Sequence, residues 1–154
     1  NLDGRCMMKI IIGSKAENLR KKYIEYFIDT NLDYYSERIK RKIMCSDGMC
    51  YTGYLWDCLK NKFLMSEKEC FRYIENTEKI YVFWDIHSQD KIFIPNYWKY
   101  PKDAIVEMHC KELLENINTF PEDIYVVDET FEWSVVFTHE TNVQQERYCL
   151  FAHL

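Results

Sequence analysis

At Lys79 the patterning of apolar residues changes, and this change constrains the fold more than any other feature of the chain. Before it, apolar residues recur at helical intervals; after it, they gather in short β-branched and aromatic runs. In "SKAENLRKKYIEYFID" (14–29), Leu19, Tyr23, Tyr26 and Phe27 share one face, and Ser14 stands where an N-cap would stand. Tyr34, Tyr35, Ile39 and Ile43 predict a second helix over about 31–44, ended by "SDG". Tyr51, Leu55, Trp56 and Leu59 predict a third over 50–63. Ser66 and Glu69 have capping-box spacing and open a short fourth helix in "SEKECFRYIE".

The second half reads differently. "KIYVFWD" (79–85) and "KIFIP" (91–95) predict neighbouring strands, and a short strand is also expected at Lys9–Ile12. Pro101 opens an expected helix through about Ile117, with Asp103 suited to its positive end. Then "IYVV", "FEWSVVFT" and "RYCLFAH" form an antiparallel meander, with Phe131, Trp133, Val135 and Phe137 on one face. Together these give an α+β fold: amino-terminal helices packed on one face of a mainly antiparallel sheet of about five strands. The 154 residues suit a single domain, 1–154, that buries roughly 68–70% of its unfolded surface. The Met7-Met8 pair marks one reading of the native start, which leaves "NLDGRC" outside the fold.

No apolar run approaches the roughly 20 residues of a membrane span, and no export signal accompanies the odd count of seven cysteines. Free thiols in a cytoplasmic protein are expected, with no membrane partner. Cys45 and Cys50 lack a second close Cys or His pair that would complete a zinc set, so no metal and no other cofactor are expected.

Charge is distributed unevenly. The chain is −5 formally, yet residues 112–146 hold nine acids and no lysine or arginine, a local −9. Six of those acids fall in "FPEDIYVVDETFEWSVVFTHE" (120–140), beside Tyr125 and Trp133. Such a field repels phosphates, so no nucleic-acid partner is expected here, and it steers a basic protein. The basic clusters 20–22 and 40–42 read as solvated helix faces. The competing reading of 120–140 is a charged sheet edge that blocks aggregation. A catalytic reading would use His139, Glu140 and Asp128, the last being the one acid that an antiparallel hairpin could draw close to His139.

The residues "VVDETFEW" and "THE", with "YLWDCL" upstream, resemble a family of small uncharacterised bacterial proteins across about 50–145. After the triplet this chain has "TNVQQE" where that family continues with glycine. Small acidic α+β chains of this kind are also similar to immunity proteins of bacterial toxin systems, including contact-dependent growth inhibition. That resemblance implies a non-enzymatic protein that binds and blocks a cognate toxin domain, a basic nuclease in the first instance. The expected contacts are Glu122, Asp123, Tyr125, Asp128, Glu129, Glu132, Trp133 and Glu140. A small intracellular hydrolase or nuclease is the alternative, and an adaptor with no toxin partner the third reading.

Overall fold

The computed structural model describes residues 8–75, 77–88 and 99–154. The expected strand at 91–95 and residues 1–6 lie outside them. The fold is α+β, and among the described residues seven strands form one antiparallel sheet rather than about five. In chain order the strands are β1 (Lys9–Ile11), β2 (Ile43–Cys45), β3 (Gly48–Cys50), β4 (Phe63–Met65), β5 (Lys79–Trp84), β6 (Ile105–His109), β7 (Ile124–Asp128), β8 (Trp133–Thr141) and β9 (Arg147–His153). The main sheet runs β1-β6-β5-β7-β8-β9-β4, and β2 and β3 pair separately as a hairpin. Helices are α1 (Gly13–Phe27), α2 (Glu67–Glu75) and α3 (Cys110–Asn116).

Both faces of the sheet are covered. On β5, Tyr81 and Phe83 join a cluster with Tyr23 and Phe27 of α1, while Ile80, Val82 and Trp84 join one with Cys70 and Ile74 of α2 and Leu113 of α3. The helices therefore lie on two faces, not one. A strand buried on both sides carries a continuous apolar run, which is what "KIYVFW" is.

α1 buries Ala16, Arg20, Tyr23 and Phe27, one stripe of the helical surface. It starts at Gly13, whose φ of 70° falls in the left-handed region, and Ile12 rather than Ser14 is its N-cap. Arg20 is buried, against the expectation of a solvated basic face. Its guanidinium sits 4.9 Å from the Phe83 ring centre and donates to the Trp84 carbonyl at 3.0 Å. The capping box of α2 forms as expected: Ser66 Oγ accepts from the Glu69 amide at 3.1 Å, and the Glu69 carboxylate accepts from the Ser66 amide.

Three expected helices change. The second shrinks to a π-helical segment, Tyr35–Lys40, and "SDG" becomes the β2–β3 turn. The third shrinks to a 3-10 turn, Leu55–Cys58, followed by β4. The stretch after Pro101 forms β6, and the helix begins only at Cys110. Phe131 precedes β8 with φ of 56° and packs on the α1 side, opposite to Trp133, Val135 and Phe137. No described helix is long and apolar enough to cross a membrane.

The α1–sheet contact includes one buried polar pair: Tyr23 Oη and Ser134 Oγ lie 2.7 Å apart, and both residues are fully buried. Ser134→Ala strands the Tyr23 hydroxyl in an apolar layer and is expected to cost about 1–3 kcal/mol. Adding Tyr23→Phe removes the stranded group, so the double variant should lose less than the two single losses combined. Urea unfolding of the four proteins measures this, and strict additivity would mean the pair carries no coupling.

Candidate functional site

The polar groups at one end of the sheet converge on the 3-10 turn. The chain enters it through Gly53, where a Cβ would lie 2.5 Å from the Tyr34 hydroxyl and 2.7 Å from Arg38 Cβ, so only glycine fits. Each amide that follows meets a side chain from elsewhere in the fold. Tyr54 N donates to Tyr34 Oη (3.1 Å), Leu55 N to Asp85 Oδ1 (2.9 Å) and Trp56 N to Tyr125 Oη (3.0 Å). Tyr125 Oη in turn donates to Asp85 Oδ2 at 2.7 Å. His87 Nε2 lies 2.7 Å from the Gly53 carbonyl. The turn is held by tertiary contacts because its own helical bonds are few.

Asp123, just before β7, completes the arrangement. It is 4% exposed, and its Oδ1 accepts from Trp56 Nε1 (3.1 Å) and from the His139 amide (3.0 Å). His139 Nδ1 lies 3.0 Å from Oδ2. A register shift between Phe137 and Thr141 makes this possible. The extra residues on β8 form a bulge that turns His139 back toward Asp123. Asp128 does not meet His139: with Ile124 opposite Phe137 and Val127 opposite Ser134, the hairpin places His139 at the far end of β7 from Asp128.

Above this framework three rings meet at the surface. Tyr54 lies 5.4 Å from Trp56 and 5.2 Å from His139, centre to centre. Tyr54 and Trp56 are half-buried, and His139 is exposed. Acids surround them. Burial first, then the fields of Asp123, Asp85, Asp57 and Glu122, hold the Tyr54 hydroxyl above its ordinary value. Asp57 and Glu122 are exposed, as is Glu140 next to His139.

The other expected contact residues lie elsewhere or inside. Tyr125 is fully buried and Trp133 is 7% exposed; both are framework. Asp128 accepts from the amide (3.0 Å) and hydroxyl (2.6 Å) of Thr130 and shapes the β7–β8 turn. Glu129 meets Lys79 at 3.6 Å. Glu132 is exposed beside that turn. These lie five strand residues, roughly 17 Å, from Asp123. The acidic stretch is thus divided between the two ends of central strands, and it is not a sheet edge. Tyr54, Trp56, Asp57, Asp85 and His87 were not expected in a site; "YLWDCL" and the last residue of "KIYVFWD" were the only signals for the first four, and His87 had none. Among the described residues, no three His, Cys, Asp or Glu side chains are grouped to hold a metal ion.

Burial raises the Asp85 carboxyl from 3.8 to about 7, against the pull of its two hydrogen bonds and Arg20. Between those values the folded state holds a proton that the unfolded state has released. The Asp85 contribution is therefore full below its unfolded pKa and is lost as pH rises through about 7. The limiting slope is about 1.4 kcal/mol per pH unit. Asp85→Asn should flatten the decline in unfolding free energy between about pH 5 and pH 7. An unchanged profile in the variant would assign the titration to another group.

Residues 5–148 match the family described as "Domain of unknown function (DUF4275)". No curated protein and no solved structure matches the chain. With nearly the whole chain inside that match, the protein belongs to the DUF4275 family.

Proposed function

We propose that this chain is an immunity protein that binds and blocks a cognate bacterial toxin domain, a basic nuclease, in the cytoplasm. The observation that carries the reading is the surface of Tyr54, Trp56 and His139 bordered by Asp57 and Glu122, with Glu140 exposed next to His139 in the chain. Tryptophan and tyrosine dominate binding energy where they pack rigidly at the centre of an interface. Here the Trp56 ring is fixed in advance by Asp123, and its backbone by Tyr125, so little conformational freedom remains to be lost on binding. The surrounding carboxylates complement a basic substrate-binding surface and speed its approach. Of the contacts expected from sequence, Glu122 and Glu140 keep a direct role, and Asp123 acts through Trp56 and His139.

A small hydrolase is the second reading, favoured by the contact between His139 Nδ1 and Asp123, which leaves a carboxylate-oriented imidazole at the surface. In that reading Asp123 replaces Asp128.

The test uses the purified domain encoded directly upstream of this gene. Tyr54→Ala should weaken binding by about 2 kcal/mol, roughly 30-fold. Glu122→Lys should mainly slow association and reduce its salt dependence. Glu129→Lys, at the opposite end of the sheet, should change neither. If the upstream domain keeps full activity in an excess of the folded protein, the immunity reading fails. A hydrolytic activity of the isolated chain that disappears in His139→Ala would move the assignment to the second reading.

A further inference from the structure

The β2–β3 hairpin borders a groove of about 770 Å³ whose lining includes Lys42, Asp47, Lys99, Lys102 and Asp103. Ile43 pairs with Cys50 and Cys45 with Gly48, so Cys45 and Cys50 are diagonal neighbours on one face of the hairpin. Lys102 Nζ lies 3.2 Å from Cys50 Sγ and 3.2 Å from Asp47 Oδ1. Cys45 is half-buried, whereas Cys50 is 1% exposed. An accessible thiol beside a buried thiol that touches an ammonium group is the division of labour that disulfide exchange requires.

We propose that Cys45 and Cys50 form a redox-active dithiol that exchanges with a small anionic disulfide drawn toward Cys45 by the lysines of the adjoining groove. Cys45 loses its proton and attacks one sulfur of the small disulfide. That S–S bond breaks, one thiolate leaves and takes up a proton, and a mixed disulfide remains on Cys45. Cys50, deprotonated beside Lys102, then attacks the Cys45 sulfur. The mixed disulfide breaks, the second small thiolate leaves and takes up the Cys50 proton, and a Cys45–Cys50 disulfide remains. One small disulfide is reduced to two thiols and one protein dithiol is oxidised, so no other oxidant enters. Burial holds the Cys50 thiol above its ordinary value while Lys102 opposes the shift, which fits Cys50 as the second thiol to react.

Closure requires a small tightening of the hairpin. Diagonal strand neighbours sit roughly 7–8 Å apart at Cα, and disulfides prefer about 5.5–6 Å. The strands have three residues each, and Gly48 at the turn has φ of 113° with open space where a Cβ would be. A short two-stranded ribbon yields to such a change more readily than the main sheet.

The experiment treats the native protein with glutathione disulfide, which is anionic, or with cystamine, which is cationic, and maps disulfides without reductant. A Cys45–Cys50 linkage should form faster with glutathione disulfide, on the order of tenfold at low salt. The advantage should shrink in Lys99→Ala and at high salt. Cys50→Ser should trap a mixed disulfide on Cys45, and Lys102→Met should slow closure even with cystamine, whose approach the groove lysines do not assist. Cys45→Ser, a change at the accessible position, should abolish both steps. A mixed disulfide that persists on Cys45 of the unaltered protein, or no linkage with either reagent, would overturn the proposal. Equal rates with the two reagents would overturn its anionic specificity.

Discussion

The bonds between Asp85, Tyr125 and the 3-10 turn are the interaction on which the rest of this end of the molecule depends. The central strands β5 and β7 are buried on both faces, so polar groups beyond their ends need partners in the protein. Asp85 follows β5 and is 3% exposed; Tyr125 lies within the neighbouring β7. Between them they accept the amides of Leu55 and Trp56. Removing either side chain strands a buried donor. The same bonds fix where Tyr54 and Trp56 reach the surface, so fold stability and surface geometry share one set of contacts.

Legibility in the sequence followed the source of each element's hydrogen bonds. α1 and α2 were readable because a helix bonds locally, and β5, β7 and β9 because their composition leaves few alternatives. The third expected helix failed although Tyr51, Leu55 and Leu59 recur at helical spacing. Tyr51 N donates to the Ile86 carbonyl and Thr52 N to that of Arg38, so distant partners took the backbone groups a helix would have used. After Pro101, Ala104 N closes a turn onto the Pro101 carbonyl, and Ile105, Val106 and Met108 enter the gap between β1 and β5. Tertiary pairing decided both cases.

Part of the site was legible for a related reason. Acid density pointed to 120–140, and Glu122 and His139 lie at the surface described above, with Asp123 buried beneath it. The partner of His139 was misassigned because sequence proximity across a hairpin favours residues near its turn, while His139 lies beyond the paired stretch of β8. Tyr54 and Trp56 approach from a segment some seventy residues earlier. Their contacts with Tyr125 and Asp123 span 69 and 67 positions, and no local pattern encodes them.

The division of charge also limits what electrostatics can do here. The nine acids of 112–146 look like one field in the sequence, but β7 separates Asp123 from Asp128 by the length of the strand. At the second end Lys79 meets Glu129 and Glu107. At the first, Arg147 donates to the Thr138 and Glu122 carbonyls and lies 3.8 Å from Glu67. Arg147 thereby holds the Glu122 backbone and the bulge that carries His139, while the Glu122 side chain remains exposed. With a Debye length of about 8 Å at physiological salt, charges at the far end contribute little to the field at Tyr54. In the proposed reading, steering at this surface falls to Asp57 and Glu122, a small pair whose effect depends on the aromatic centre it borders rather than on the total charge of the segment.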